Sequence, residues 1–461
     1  MMIFLAYFHS FILGCQIVAF ICKNSPPMAP ALYNILALGV GLGGSSAVTF
    51  LSFLCFNGLH QQEIIAIHSL LIMTFLLFNL PHYRRTYHQF HSNVFSLKAF
   101  NNCWRAWMVN LFFWGIFIFL TKIIYTLARS HPFGEWDAWA LWNMKTKFLI
   151  LGGSAWQNLF QLHWHTQPDY PLFLPFLNVW VHTISNAPLQ KITIATSVVF
   201  TMLTGALLFI GLKKYIPPFI AGLASLILLT NRYYLFMATA QYADIVLGFY
   251  LLLSLIVLTI TLREKNLSMA FLFGFISGLL MFIKNEGIIL AVLLITLGVL
   301  HVSWGISPAR DSYSKFVLKI LSGFFLTGSL ALAFKIFLAP ANRDISLQTA
   351  NLTFSLLSLE KCLIIGKAFY NALADPAWQY LWWFIIVMGA AGFKKYFIKE
   401  TVVITFFFLI YALILFAIYI TTVNFDLSWR LMRTTPRILL YLLPSLLFLS
   451  FYAHWRNNET P

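Results

Sequence analysis

The stretch ADIVLGFYLLLSLIVLTITL, residues 243–262, decides the fold. It carries one charged side chain, Asp244, at its very start, and after that only apolar, hydroxyl-bearing and glycine residues. About 20 such residues wound as an α-helix match the hydrocarbon thickness of a bilayer. The pattern therefore predicts a membrane-spanning helix with a carboxylate at its mouth.

The rest of the chain repeats this theme. Of 461 residues, 60% are hydrophobic, 18% aromatic and only 10% charged, with a mean hydropathy of +0.80. Soluble domains carry about 25% charged and roughly 45–50% apolar residues. Spans are expected near 2–22, 31–56, 63–81, 106–127, 190–211, 217–231, 243–262, 268–283, 288–304, 317–339, 378–392, 401–423 and 438–453. The expectation is an all-α polytopic membrane protein of about 13 transmembrane helices. Residues 1–22 lack a basic leading region and run into Lys23-Asn24-Ser25-Pro26-Pro27, so they read as a retained helix, not a cleaved signal.

The net charge of +16 does not point to nucleic acid. Lysines and arginines gather in short loops: Arg84, Arg85, Lys98 and Arg105, then Lys213 and Lys214, Arg263 and Lys265, Arg310 and Lys315, and Lys394, Lys395 and Lys399. If every marked segment crosses once, these loops share one side, which the positive-inside rule makes the cytoplasm. The apolar segment from Tyr170-Pro171-Leu172 to Ser185 would invert that order if it crossed, so it is expected to be a juxtamembrane or re-entrant helix. Three regions follow: 1–105; 106–304, containing an outer loop at 128–189; and 305–461, containing an outer loop at 340–377. Cys15, Cys22, Cys55, Cys103 and Cys362 show no metal spacing and read as small hydrophobes.

This topology sorts the ionisable groups. Glu63, Glu135, Asp137, Asp169, Asp244, Glu286, Asp344, Glu360, Asp375 and Asp426 fall outside, and Glu264, Asp311, Glu400 and Glu459 inside. Ionisable residues at membrane depth are functional candidates. Phe133-Gly134-Glu135-Trp136-Asp137-Ala138-Trp139 places two carboxylates one residue apart; they share a face if the loop is extended and diverge if it is helical. A carboxylate against an apolar wall can take a proton from an alcohol. Trp136, Trp139, Trp142, Trp156 and Trp164 form an interfacial belt, a stacking surface for a sugar, or both. His163-Trp164-His165 near Asp169 reads as hydrogen-bonding groups at a cavity rim; a divalent metal remains optional. Asp244 is either a carboxylate at a helix N-terminus or a second functional acid.

Lys284-Asn285-Glu286-Gly287 is a charged turn with glycine closing a helix. Its lysine is either neutralised by Glu286 or available to a phosphate oxygen. Arg430, Arg433 and Arg437, spaced by three and four, form a stripe on one helical face that suits a phosphate or pyrophosphate.

The order of these motifs resembles the C-type (GT-C) integral-membrane glycosyltransferases, which draw sugars from polyprenyl-phosphate carriers. Protein O-mannosyltransferases, the lipid A aminoarabinose transferase and bacterial lipopolysaccharide sugar transferases belong to that group. The matching pieces are Glu135-Trp136-Asp137-Ala138-Trp139, Pro168-Asp169-Tyr170-Pro171-Leu172, Tyr242-Ala243-Asp244 and Lys284-Asn285-Glu286-Gly287. The resemblance implies that an acid of the first outer loop is the base, Asp137 in preference to Glu135. It implies that Asp244 supports the acceptor or an optional metal. Lys284, Arg430 and Arg433 would bind the carrier phosphate, with Asp169, Glu286, Trp136 and Trp139 also contacting substrate. The absence of a long soluble C-terminal domain points away from protein N-glycosylation.

The implied activity is inverting transfer from a polyprenyl-phosphate sugar to a hydroxyl of a glycan, lipid or protein at the outer, periplasmic face of a bacterial inner membrane. The alternative is a transporter or flippase of a lipid-linked sugar, which would use the same lining; no internal repeat supports it.

Overall fold

The structure is a computed structural model that describes residues 2–93, 104–305, 310–342, 358–398, 400–421 and 426–456. Lys98, Cys103, Arg343, Asp344, Lys399 and Glu459 lie outside the described residues, as do 343–357 of the expected 340–377 loop. The side chains of Arg84, Arg85, Arg105, Arg310 and Asp311 are not described either. Among the described residues every regular element is helical.

Ten helices are long and apolar enough to cross a membrane, or eleven if the bent pair Pro218–Thr230 and Arg232–Thr239 counts as one span. The protein is an all-α, multi-pass integral membrane protein. Of the segments expected to cross, three form helices too short to qualify alone: Pro218–Thr230, Leu267–Met281 and Leu381–Ala391. The chain divides into two compact units: 1–156 with 172–229 and 238–242, and 157–171 with 230–237 and 243–461.

In the first unit α1 (Met2–Cys22) and α2 (Pro30–Phe56) pack so closely that a Cβ on Gly14 would lie 1.8 Å from the Ala37 carbonyl oxygen, and one on Gly41 1.9 Å from that of Ser10. Without a hydrophobic drive between helices in lipid, such backbone approach is what holds them. The unit continues with α3 (Gln61–Asn93), α4 (Trp104–Ser130) and the short α5 (Asn143–Leu151). Leu111, Ile118 and Phe119 of α4 are each more than 60% exposed, the apolar outer surface expected of a lipid-facing helix.

The Tyr170–Ser185 segment forms α6 (Phe173–Ser185), and it is no surface helix. Ser46 of α2 donates to the Phe173 carbonyl at its start, and Gln61, just past α2, donates to Asn186 at its end. Trp180 donates to Ser10, and Asn178 accepts from Thr196, whose hydroxyl also pairs with Tyr7. α6 thus runs beside the last turns of α2 with ten of its thirteen residues buried. Its Trp180 indole and Asn178 amide pair with α1 and α7 (Leu189–Lys213), and its first carbonyl with α2. α8 (Pro218–Thr230) and α9 (Arg232–Thr239) follow.

The second unit is built around α10 (Ala243–Glu264), 94% of whose span window is buried. A helix apolar on every face belongs in such a position. α11 (Leu267–Met281), α12 (Asn285–Gly305), α13 (Arg310–Phe337), α14 (Leu359–Ala374), α15 (Leu381–Ala391), α16 (Thr401–Ile420) and α17 (Leu427–Trp455) complete it. α11 and α13 touch through small residues: a Cβ on Gly274 would sit 2.0 Å from the Ile320 carbonyl, and one on Gly323 2.2 Å from that of Phe271. Gly287 does not close a helix; it lies in the first turn of α12, where a Cβ would meet the Leu280 carbonyl at 2.1 Å. α16 and α17 meet through the buried hydroxyls of Tyr411 and Tyr441, 2.6 Å apart.

Candidate functional site

In the first unit the segment 131–143 is pinned by residues 240–242. Glu135 N–H donates to the Ala240 carbonyl at 3.1 Å, Asp137 N–H donates to the Tyr242 hydroxyl at 3.2 Å, and Asn143 donates to Gln241 at 2.9 Å. Gln241 donates in turn to the carbonyls of His131 and Pro132. Gly134 is required here: its φ is +67°, and a Cβ would lie 2.5 Å from the Ala240 oxygen.

The chain turns helical at Trp136 and Asp137 and passes through one π-turn, Ala138–Trp142, into α5. The extended-loop alternative therefore fails, and Glu135 and Asp137 do not share a face. Asp137 is half-buried, as is Glu135, whose carboxylate has no hydrogen-bond or ion-pair partner among the described residues. The tryptophans divide. Trp136 and Trp139, three apart on the new helix, are exposed with ring centroids 4.4 Å apart, whereas Trp142 and Trp156 are fully buried core.

In the second unit the acids and bases collect at one end of α10. Asp244 is completely buried and accepts from Lys284 Nζ at 3.0 Å through Oδ1, and from Arg437 Nη2 at 2.7 Å and Nε at 3.2 Å through Oδ2. Lys284 also faces Glu286 at 3.1 Å and lies 5.8 Å over the Tyr170 ring. This is more than a carboxylate resting on a helix N-terminus: both oxygens are engaged by cations. A divalent ion at Asp244 would have to displace Lys284 or Arg437, so the residues present do not fit the optional metal there.

Asp169, 6% exposed, forms a second centre on the same turn. Its Oδ2 accepts from Asn285 at 2.8 Å, Asn342 at 2.7 Å and Lys335 at 3.4 Å, and its backbone oxygen from Lys335 at 2.6 Å. Lys284-Asn285-Glu286 thus serves both acids. Asp169 anchors the Pro168–Pro171 loop and lines a small pocket with Trp164, Gln167 and Asn342. His163 accepts from the His165 backbone N–H, and no group of three metal-binding side chains exists among the described residues.

The three arginines of α17 do not act as one stripe. Arg437 turns to Asp244; Arg430, two turns earlier, is half-buried, and it and Glu286 both lie within electrostatic reach of Tyr419; Arg433 is exposed, 5.7 Å over the Trp429 ring. Arg437 was legible as a member of the triplet. Lys335 and Asn342 were missed, although a lone lysine ending an apolar span was a usable signal.

These helices and this buried ionic centre define the class: a polytopic α-helical membrane protein with charge concentrated at helix ends. No family model, no curated protein and no solved structure matches the chain.

Proposed function

We propose that this chain is an integral-membrane glycosyltransferase taking a sugar from a polyprenyl-phosphate carrier to an acceptor hydroxyl on a glycan, lipid or protein, with inversion, at the periplasmic face of a bacterial inner membrane. The observation that carries the reading is the pair of cations, Lys284 and Arg437, fixed on the buried Asp244 carboxylate at one end of α10. Lys284 also faces Glu286, and Arg430 lies two turns before Arg437 on α17. A leaving phosphate needs charge compensation more than protonation, and preorganised cations supply it without reorganisation. Guanidinium groups grip two phosphate oxygens at once.

On this reading Asp244 is a positioning residue, fixing Lys284 and Arg437 and touching no substrate. The first-loop acid Asp137 takes the proton of the acceptor hydroxyl, the oxygen bonds to the anomeric carbon, and the carrier phosphate leaves with the electron pair. The exposed Trp136–Trp139 pair supports the stacking role for a sugar face.

The test is transfer of radiolabelled sugar from a range of polyprenyl-phosphate donors in membranes holding wild type or Asp137→Asn at equal expression. Loss of transfer in the variant is expected. Retained transfer removes Asp137 as base. A wild type that transfers from no donor but moves lipid-linked sugar across vesicles replaces the enzyme with a transporter.

A further inference from the structure

At the other end of α10 two arginines face one buried carboxylate. Glu400, 5% exposed, accepts the Tyr452 hydroxyl and faces Arg263 Nη1 at 3.5 Å and Arg456 Nη1 at 3.7 Å. Arg263 donates to Tyr452 at 2.9 Å. Both arginine side chains are closed to water, 11% and 5% exposed. Both guanidinium groups face that carboxylate, and among the described residues neither Nη1 nor Nη2 of Arg456 has a hydrogen-bond partner. A guanidinium carries five donors, and a buried charge left short of partners is strongly unfavourable.

Its setting selects the kind. Lys395 lies beside it, donating to the His454 carbonyl at 3.5 Å, and Lys394 is exposed. Phe393, Phe397 and Trp455 are 64%, 37% and 39% exposed at the same helix ends. Exposed aromatics at a helix end mark headgroup depth in a membrane protein, and basic pockets between helix ends there bind acidic lipid. Arg456 is the C-cap of α17 with an extended backbone, so it lies at the very end of the helix.

We propose that Arg456 and Arg263, rimmed by Lys394 and Lys395, bind the phosphodiester of an anionic phospholipid. Free phosphate presents the same oxygens; the aromatic rim favours the lipid. The site is independent of the glycosyltransferase reading, being separated from Asp244 by the length of α10, about 28 Å at 1.5 Å per residue.

The test uses the full chain in nanodiscs of phosphatidylcholine, with or without phosphatidylglycerol, reading the thermal midpoint and the lipid retained in native mass spectrometry. Phosphatidylglycerol is expected to raise the midpoint by several degrees and to stay bound, inorganic phosphate in phosphatidylcholine discs to do nothing, and Arg456→Gln to erase both effects. Equal wild-type midpoints in the two discs, a rise with phosphate alone, or a rise surviving in Arg456→Gln would overturn the proposal. If the glutamine form fails to fold, Arg456→Lys is expected to hold the lipid more weakly, and undiminished retention overturns it equally.

Discussion

Lys284 Nζ lies 3.0 Å from Asp244 Oδ1, with side chains 3% and 0% exposed, although the two residues are separated by one full passage along α10 and the return along α11. α10 leaves Asp244 and ends at Glu264; the chain must come back for Lys284 to reach its partner. Leu267–Met281 therefore carries the chain back across the unit even though fifteen residues fall short of a standard span, because residues 282–284 and the long lysine stem complete the distance.

Removing one partner of this buried centre should be costly. Asp244→Asn takes from Lys284 and Arg437 the buried carboxylate they share, and breaking a buried pair in this way costs about 3–5 kcal/mol. Thermal unfolding in detergent should show a large drop for the single variant and a smaller one for Asp244→Asn with Lys284→Met. Additive losses would show that the pair is not coupled.

The α11–α13 contact predicts a graded glycine response. Gly274→Ala forces a methyl into the Ile320 carbonyl, 2.0 Å away, whereas Gly366→Ala meets nothing within 4 Å. Overpacking costs typically 1–3 kcal/mol. The Gly274 variant should unfold at a lower temperature and the Gly366 variant at the wild-type temperature or slightly above. Equal behaviour would contradict the close approach.

Gly134→Ala should loosen the 131–143 segment specifically. It combines a left-handed φ with a Cβ 2.5 Å from the Ala240 oxygen, strain of order 1–3 kcal/mol. Hydrogen exchange of the Glu135 and Asp137 amides, which donate to Ala240 and Tyr242, should accelerate while α10 stays protected. Unchanged exchange at both amides would dismiss the anchoring role.

Asp169→Ala removes the acceptor shared by Asn285, Lys335 and Asn342. Limited proteolysis should then cut within 157–171 at enzyme doses that leave wild type whole. A resistant loop would mean that packing alone holds it.

How much of this was legible follows from the period of each signal. α10 declares itself because twenty consecutive residues leave no other reading, and α6 was marked by the count of crossings it would have upset. Leu381–Ala391 was expected to cross because residues 378–392 look uniformly apolar; Trp378 falls in a separate short turn and the helix begins only at Leu381. Asp244, Lys284 and Arg437 each stood out as charge beside an apolar run, but their meeting did not, because it depends on helices 40 and 193 residues apart in sequence. The helical start at Trp136 was hidden for a local reason: Glu135 is tied to Ala240, a hydrogen bond that sequence spacing cannot foretell. The meeting of Glu400 with Arg263 and Arg456 passed unseen, since Arg456 lies beyond the last apolar residue.

α10 also has a mechanical consequence. With Asp244 locked to Arg437 at one end and Arg263 joined to Glu400 and Tyr452 at the other, α17 is fastened to α10 at two points and cannot slide along it. The pair behaves as a gauge of fixed length. In a bilayer thinner or thicker than that gauge the lipid must deform around the protein, so sterol content or acyl-chain length should tune its stability without touching a single side chain.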